Sequence, residues 1–487
     1  TCVQRCTDVL SYFRTRLLYL RRYSTCTCTF RRWAGRGIRG ARPSPSHGPR
    51  GRRRLPLRGT RLPGQPPAAA ALLVAENVGT GILGLPGFIH TLGWSFGFTF
   101  MFVQIPFNLL AAEQLSKVAT EIEASDSPLT TPRVRDYFQL SMRLYKDKAP
   151  WKRRIVSGIY YSNLVLILGN YILTMSKSIQ SMLGKTVCLP TCGMIAFIQL
   201  LVTNQNRTFA HLGGGWLPFV SILSVGFVLV VCTISARMSD PPEETEEEPE
   251  TSMFKFAAAT SGIAYAVGSQ KLLLNVRQDL RETKAAVPAL RIALLCYVGA
   301  YFLVCIVSGP NPAPFLLDSV TNRTLQKLSG FLLWSHVSVS FSINCTALCS
   351  SIKWKKSEDD SDAYRRKRWF VLTTTVTFFA WWISNSIPFF DDLISLIGAL
   401  TSIPLTLIFP LWMGLELELA DSNDDDYNNS RNKIDENAGN KNRNGTFRKS
   451  ILIISLIIAT LLFVLGLIGS TVDIANRWGD DFTFFKC

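Results

Sequence analysis

Residues 77–86 read NVGTGILGLP and place three glycines, a threonine and a proline inside one apolar stretch. Glycine and proline both weaken a continuous helix. A break in a membrane helix frees backbone N–H and C=O groups, which are tolerated in hydrocarbon only where they line a polar cavity or are buried in protein. In transporters with inverted repeats, such a half-helix N-terminus holds an anionic group and unwound carbonyls hold a cation. The stretch therefore predicts a polar ligand at Gly79, Thr80 and Gly81.

A second stretch of the same kind occurs in the other half of the chain. Residues 260–276, TSGIAYAVGSQKLLLNV, place Gly262, Gly268, Ser269 and Gln270 in the middle of an apolar run. Glycines in membrane helices can also serve close helix packing. Two interrupted segments at corresponding positions favour broken helices at a shared binding site over packing alone.

The elements that carry these stretches are long apolar runs. Of the 487 residues, 47% are hydrophobic, and runs of about 20 residues, the length that crosses a bilayer, recur along the chain. We count eleven, centred near 68–89, 94–113, 155–183, 193–204, 216–235, 253–275, 286–308, 329–352, 369–388, 391–413 and 450–470. The sequence predicts an all-α polytopic membrane protein in which spans one to five and six to ten form two halves of opposite orientation.

Charge gives an orientation to these spans, because cytoplasmic loops collect Lys and Arg. With the N-terminus inside, the inner segments hold 43 cations and the outer segments seven. The prediction is a cytoplasmic N-terminus, a transmembrane domain over 68–470 that includes a disordered, Asn/Asp-rich cytoplasmic linker over 414–449, and a short outer tail over 471–487. Asn322 of the sequon NRT falls outside.

Residues 1–67 form a separate unit with sixteen Arg and one acidic residue. Such a composition cannot build a core. It predicts a disordered basic tract, either a transit peptide or an artefact of the gene model. The net charge of +17 lies at span ends and in this tract, so it is explained by the lipid bilayer and not by nucleic acid.

Metal and enzyme chemistry find little support. None of the four His lies at ligand spacing from Cys188, Cys192 or Cys487, so no metal site is predicted. Cys188 could pair locally with Cys192 or with Cys487 in an oxidising compartment. No nucleophile elbow, P-loop or zinc-protease motif is present, and we predict no catalytic residues and no cofactor.

An ion that drives transport needs a carrier. Glu76 lies within span one, one turn before the break, and an ionisable residue in a membrane segment is a functional candidate; the alternatives are a snorkelling side chain or a salt bridge. His336 in span eight could also titrate, although a packing role is favoured. A set of oxygen ligands in span eight could hold sodium or serve as interhelical hydrogen bonds: Ser340, Ser342, Asn344 and Thr346.

The stretch ENVGTGILGLPGFIHTLGW resembles the first span of the amino acid/auxin permease family, especially its proton-coupled amino acid transporters. GIAYAVGSQ resembles the family's sixth span, and LISLIGALTSIPLTLIFPLW its tenth. The resemblance covers about 70–471. It implies a leucine-transporter-type 5+5 inverted repeat with broken helices one and six. It also implies that backbone near Gly79–Gly81 and the stretch from Tyr265 through Val267 to Gly268 hold the amino acid, with Ser269 directly after them.

Together these observations predict a secondary transporter of small neutral amino acids, driven by protons in preference to sodium. Where the family often has His after the sixth-span glycines, this chain has Ser269 and Gln270, which leaves ion coupling open. The alternatives are a sodium-coupled transporter and a transporter-like amino acid sensor. The expected membrane is the plasma membrane or a vacuolar or lysosomal type of endomembrane.

Overall fold

The structure is a computed structural model. It describes residues 70, 73–74, 77, 79–125, 133–146, 149–184, 186–205, 217–238, 252–268, 270–280, 282–309, 312–352, 362–429 and 438–481. Over these residues the regular structure is helical. The α-helices are α1 Gly81–Leu92, α2 Trp94–Ser125, α3 Tyr137–Tyr145, α4 Pro150–Leu183, α5 Leu189–Thr203, α6 Leu217–Met238, α7 Met253–Val267, α8 Leu273–Asp279, α9 Ala286–Ser308, α10 Arg323–Ser351, α11 Asp362–Ser386, α12 Phe390–Ile397, α13 Phe409–Asn429 and α14 Ala438–Asp481.

Each of the eleven predicted spans coincides with helix. Within the described residues, six helical stretches are long and apolar enough to cross a membrane by length and composition. Four shorter apolar helical stretches lie at spans one, four, five and six; those of spans one and six are α1 and α7. The predicted all-α polytopic membrane protein is confirmed.

The two halves of the chain pair helix by helix. Helices at corresponding positions pack on each other, namely α1 on α7, α2 on α9, α4 on α10 and α5 on α11. The first pair runs antiparallel, because Gly81 abuts Ala266 whereas Gly262, nearer the start of α7, abuts Phe88, nearer the end of α1. This is the arrangement that an inverted repeat requires.

The α4–α10 pair runs antiparallel in the same way. Ser338 contacts Met175, while Gly330, earlier on α10, abuts Ser178, later on α4. Two pairs of corresponding helices therefore have opposite directions, which agrees with the predicted five-plus-five arrangement.

Span ten contains a feature that its sequence did not predict. Between α12 and α13 the chain forms two π-helical turns, Gly398–Ser402 and Pro404–Ile408. Pro410 stands five residues after Leu405 and has no N–H to donate to its carbonyl in a π-turn. The Leu405 carbonyl accepts a hydrogen bond from the Tyr137 hydroxyl instead. Such π-turns are frequent at functional sites.

The prediction of a disordered linker over 414–449 is wrong for its two ends. Helix α13 continues to Asn429 and α14 begins at Ala438; the middle, 430–437, lies outside the described residues. An ion pair between Arg448 and Glu418 at 2.9 Å joins the two helical extensions.

Cys188 is disulfide-bonded, whereas Cys192 is buried and free. The local bridge considered from the sequence is therefore wrong. The partner of Cys188 lies outside the described residues, because no described cysteine other than Cys188 forms a disulfide.

A buried ion pair fixes the short helix α8 at the end of span six that we predict to be cytoplasmic. The guanidinium of Arg277 has no exposed side-chain surface and donates to both carboxylate oxygens of Glu123, at 2.8 and 3.0 Å. Glu123 also accepts from the backbone N–H of Val134 at 2.7 Å. The pair ties α8 to the end of α2.

Candidate functional site

The helix of span one is interrupted at the predicted glycines. The described residues before the break are helical up to Asn77, the chain bends at Gly79, and α1 begins at Gly81. The N–H of Gly79 donates to the Asn77 carbonyl at 2.9 Å, a short-range bond that a continuous helix does not make. Backbone groups are thereby released from the helix in the middle of an apolar span.

The helix of span six is interrupted at the corresponding place. α7 ends at Val267, Gly268 is extended with φ −75° and ψ 98°, and a 3₁₀ turn at Gln270–Leu272 precedes α8. The two interruptions lie side by side: a Cβ added to Gly81 would stand 3.3 Å from the Cα of Ala266. Glycine at position 81 permits this approach.

Two tyrosines of α9 satisfy carbonyls that the interruptions release. The Tyr297 hydroxyl donates to the Val267 carbonyl at 2.6 Å, and the Tyr301 hydroxyl donates to the Asn77 carbonyl at 2.8 Å. Both tyrosines are fully buried and stand one helical turn apart, on the same face of α9. Sequence reasoning missed them; the available signal was two tyrosines at this spacing in an aliphatic span, since a buried Tyr hydroxyl needs a partner.

Replacing Tyr297 by phenylalanine should destabilise the span-six interruption, because it leaves the Val267 carbonyl without its hydroxyl donor. An unsatisfied buried acceptor costs about 1–3 kcal/mol. The detergent-purified variant should melt at a lower temperature than the parent protein.

Tyr301→Phe is the matched control for Tyr297→Phe. It should cost less, because the Asn77 carbonyl keeps its bond from the Gly79 N–H. Equal melting temperatures for Tyr297→Phe and the parent would show that the Val267 carbonyl does not depend on the tyrosine.

A cleft opens beside both interruptions. Its cavity volume is about 80 Å³, which is smaller than the roughly 300–1,000 Å³ usual for small-molecule sites. Its walls come from four spans. The lining residues are Asn77, Gly79, Thr80 and Gly81 from span one, Tyr160, Asn163, Leu164, Ile167 and Tyr171 from span three, Tyr265, Ala266, Lys271, Leu272 and Asn275 from span six, and Asn344 and Ala347 from span eight.

The structure brings five of the predicted site residues to this cleft: Gly79, Thr80, Gly81, Tyr265 and Asn344. Three others do not line it. Val267 is fully buried in the apolar core, Thr346 is buried in α10, and a Cβ on Gly268 would meet Thr406 of span ten at 2.9 Å. Ser269 and Glu76 lie outside the described residues.

The side chain of Thr80 is engaged with protein. Asn170 of α4, which is fully buried, donates its amide Nδ2 to Thr80 Oγ1 at 2.9 Å. The Tyr265 hydroxyl lies close to both side chains. These contacts join spans one, three and six at the cleft and leave the backbone of Gly79–Gly81 to face it.

Carboxamide oxygens make the cleft rich in hydrogen-bond acceptors. Three lining asparagines donate their amide groups to protein: Asn77 to the Leu73 carbonyl at 2.8 Å, Asn163 to Thr401 at 2.7 Å and Asn344 to the Ser340 carbonyl at 2.9 Å. Each keeps its carbonyl oxygen as an acceptor. Asn275 Oδ1 is buried without a hydrogen-bond partner. Such oxygens suit an ammonium group or another cation.

Lys271 is the charged side chain among the described residues that line the cleft. Its Nζ lies 4.6 Å from the centroid of the Tyr265 ring, within the range of a cation–π contact. Sequence reasoning missed it, although the signal was present: of 52 Lys and Arg residues, the charge count assigned only Lys177 and Lys271 to neither side of the membrane. An ionisable residue inside a span is a functional candidate.

The cleft reaches toward one end of the spans. Tyr160, Lys271 and Asn275 lie in the halves of their spans that we predict to be cytoplasmic. Toward the other end, Phe315 and Phe390 are buried and meet edge to face with ring centroids 4.7 Å apart. The aromatic pair fills the space between the start of α12 and the loop before α10.

Comparison with known proteins gives one family and several relatives. The family described as "Transmembrane amino acid transporter protein" matches residues 63–424. The chain is similar to the "N amino acid transport system protein" of Neurospora crassa, at 22% identity over 72% of this chain and 76% of that protein. It is also similar to "Amino acid permease 8" of Arabidopsis thaliana, at 23% identity over 71% of this chain and 82% of that protein.

Among solved structures, a manganese transporter from Eremococcus coleocola aligns with a TM-score of 0.49 at 14% identity, over 85% of this chain and 88% of that chain.

Proposed function

Because this chain belongs to the transmembrane amino acid transporter family, we propose that it carries small neutral amino acids across a membrane by alternating access around the two interrupted helices. The protein is an integral, multi-pass membrane protein and not an enzyme. The observation that supports the proposal is the position of the cleft. It borders Gly79–Gly81 and Tyr265 at once, so that both interruptions can change shape with one ligand.

The chemistry of the walls supports a neutral substrate. Backbone of the first break and the start of α1 suit a carboxylate, and asparagine oxygens suit an ammonium group. Leu164, Ile167 and the two tyrosines Tyr160 and Tyr171 offer apolar surface to an uncharged side chain. In the described lining there is no carboxylate to pair with a basic side chain.

Counterflow in proteoliposomes tests the proposal. Purified protein should exchange radiolabelled neutral amino acids across the bilayer, and an imposed pH gradient should concentrate them. A sensor would bind label without exchanging it. Accumulation that requires a sodium gradient in place of a pH gradient would establish the sodium alternative. Of the candidate sodium ligands in span eight, Asn344 lines the cleft.

We propose that Glu76 carries the coupling proton, because it directly precedes Asn77, a lining residue. Glu76→Gln keeps the size of the side chain and removes its titration. Substrate binding and exchange should persist in this variant, while a pH gradient should no longer concentrate substrate.

Glu121→Gln is the control for Glu76→Gln, since Glu121 is exposed on α2 and should leave accumulation unchanged. If Glu76→Gln still accumulates substrate on a pH gradient, the coupling group is another residue.

A further inference from the structure

The first observation is the charge of the cleft. Its described lining combines neutral amides, aromatic rings and aliphatic side chains with one ammonium group, that of Lys271. A positive charge attracts anions and repels cations, and it does so more strongly where the surroundings have a lower dielectric constant than water. The lining therefore favours ligand groups that carry a negative charge.

The second observation is the position of that charge. Lys271 belongs to the 3₁₀ turn that follows the span-six interruption, and its Nζ lies over the ring of Tyr265. The Tyr265 hydroxyl also lies close to Thr80, and Ala266, the next residue, faces Gly81. The ammonium group is thus held on the same wall as the first break, where α1 begins and its first N–H groups are unpaired within the helix.

The third observation is complementary. The asparagine oxygens, with Asn275 one turn after Lys271 on α8, provide acceptors in the same cleft. A zwitterion presents a carboxylate and an ammonium group on neighbouring atoms. A donor cation beside several neutral acceptors fits both of its charges without a bound metal ion.

We infer that Lys271 binds the carboxylate of the substrate and is the residue that restricts the cleft to amino acids with a free carboxylate and an uncharged side chain. This inference rests on the proposed function, since it assigns a role within the same site. Cationic side chains are disfavoured because they add a second positive charge near Lys271.

The test compares carboxylates with carboxamides. Binding of L-alanine, L-leucine and L-phenylalanine, and of their C-terminal amides, is measured on the purified protein by scintillation proximity or isothermal calorimetry. The variants are Lys271→Met, which keeps the length of the side chain, Lys271→Arg, which keeps the charge, and Lys255→Met as the control. Lys255 is exposed at the other end of span six and lies outside the lining of the cleft.

The parent and Lys255→Met should prefer each amino acid over its amide by about tenfold to a hundredfold, the range of a hydrogen bond between charged groups. In Lys271→Met this preference should fall to a few-fold, with weaker amino acid binding and equal or better amide binding. Lys271→Arg should retain most of the preference. A variant that is merely destabilised would bind the amino acid and its amide more weakly by the same factor, so the ratio of the two affinities would not change.

The outcomes separate the two proposals. If the parent binds none of the amino acids, the proposed function fails, and the inference fails with it. If the parent binds them and the preference persists in a folded Lys271→Met, the function stands and the role of Lys271 is overturned. If Lys271→Arg loses the preference as fully as Lys271→Met, charge is not what Lys271 contributes, which also overturns the inference.

Discussion

Replacing Gly79 and Gly81 together by alanine should weaken substrate binding by at least about tenfold while the protein still folds and reaches the membrane. Alanine favours helix over glycine by about 1 kcal/mol per position. Two such changes favour a continuous helix by about 2 kcal/mol. This corresponds to a factor of roughly thirty in the equilibrium between the continuous and the interrupted helix. Fewer backbone N–H groups would then face the cleft.

Packing adds to this effect at the second glycine. A Cβ at position 81 would stand 3.3 Å from both Ala266 Cα and Tyr265 Cε1. That distance is tight enough that span six must move away by a few tenths of an ångström. The interrupted regions would therefore separate where we expect the ligand to bind.

Two other glycines provide the control. Gly158 on α4 and Gly299 on α9 have open space where a Cβ would stand. Alanine at both positions should leave binding unchanged and should hold or raise the melting temperature. Normal transport by the Gly79→Ala, Gly81→Ala protein would show that the backbone at the first break does not contribute to binding.

The sequence predicted the interruptions because their cause is local. Gly79 and Gly81, and later Gly268, weaken helix wherever they occur, and spans long enough to cross a bilayer are visible from composition alone. The eleven spans and the all-α architecture follow from these two facts. The family then follows from a glycine-rich motif whose spacing is specific.

The composition of the cleft could not be predicted in the same way, because it depends on which faces of distant helices meet. Gly268 was assigned to the substrate on its position in the motif, yet its open side is filled by Thr406 of span ten. Lys271, three residues further, reaches the cleft through the 3₁₀ turn, whose rotation differs from that of an α-helix. The periodicity of span six alone does not reveal that turn.

The π-turns of span ten and the capping tyrosines of span seven were unpredictable for a related reason. Each satisfies a backbone group that another element leaves open. Tyr297 has a function only because Val267 ends a helix, and Tyr137 donates to a carbonyl 268 residues away. Such contacts are properties of the assembled fold.

Glu123→Ala should be the most destabilising of the substitutions considered, at about 3–5 kcal/mol, the usual cost of removing one partner from a buried ion pair. The guanidinium of Arg277 is fully buried, and its bonds to Glu123 are bidentate. Without the carboxylate, the side-chain acceptor that a buried positive charge would keep among the described residues is the Thr120 hydroxyl, at 2.9 Å. We expect a large fall in melting temperature and poor recovery from membranes.

A double substitution distinguishes the ion pair from a general effect of altering α2. Glu123→Leu combined with Arg277→Met removes both charges and fills the space with apolar side chains, and it should recover much of the stability lost in Glu123→Ala, because the desolvation cost disappears with the charges. Glu121→Ala, at an exposed position two residues away, should change the melting temperature little. If Glu123→Ala and Glu121→Ala have the same melting temperature, Arg277 is solvated in the membrane and does not depend on Glu123.

The same pair makes a prediction about transport, because Arg277 joins α8 to α2. We therefore expect the second part of span six to move together with span two, and the span to change shape at Gly268. In the double substitution apolar packing still holds α8 against α2, although without a bidentate geometry. We expect that protein to bind substrate with nearly normal affinity but to exchange it several-fold more slowly, as counterflow would measure. Equal exchange rates would mean that apolar packing alone positions α8, and that the ion pair contributes stability and no directional constraint.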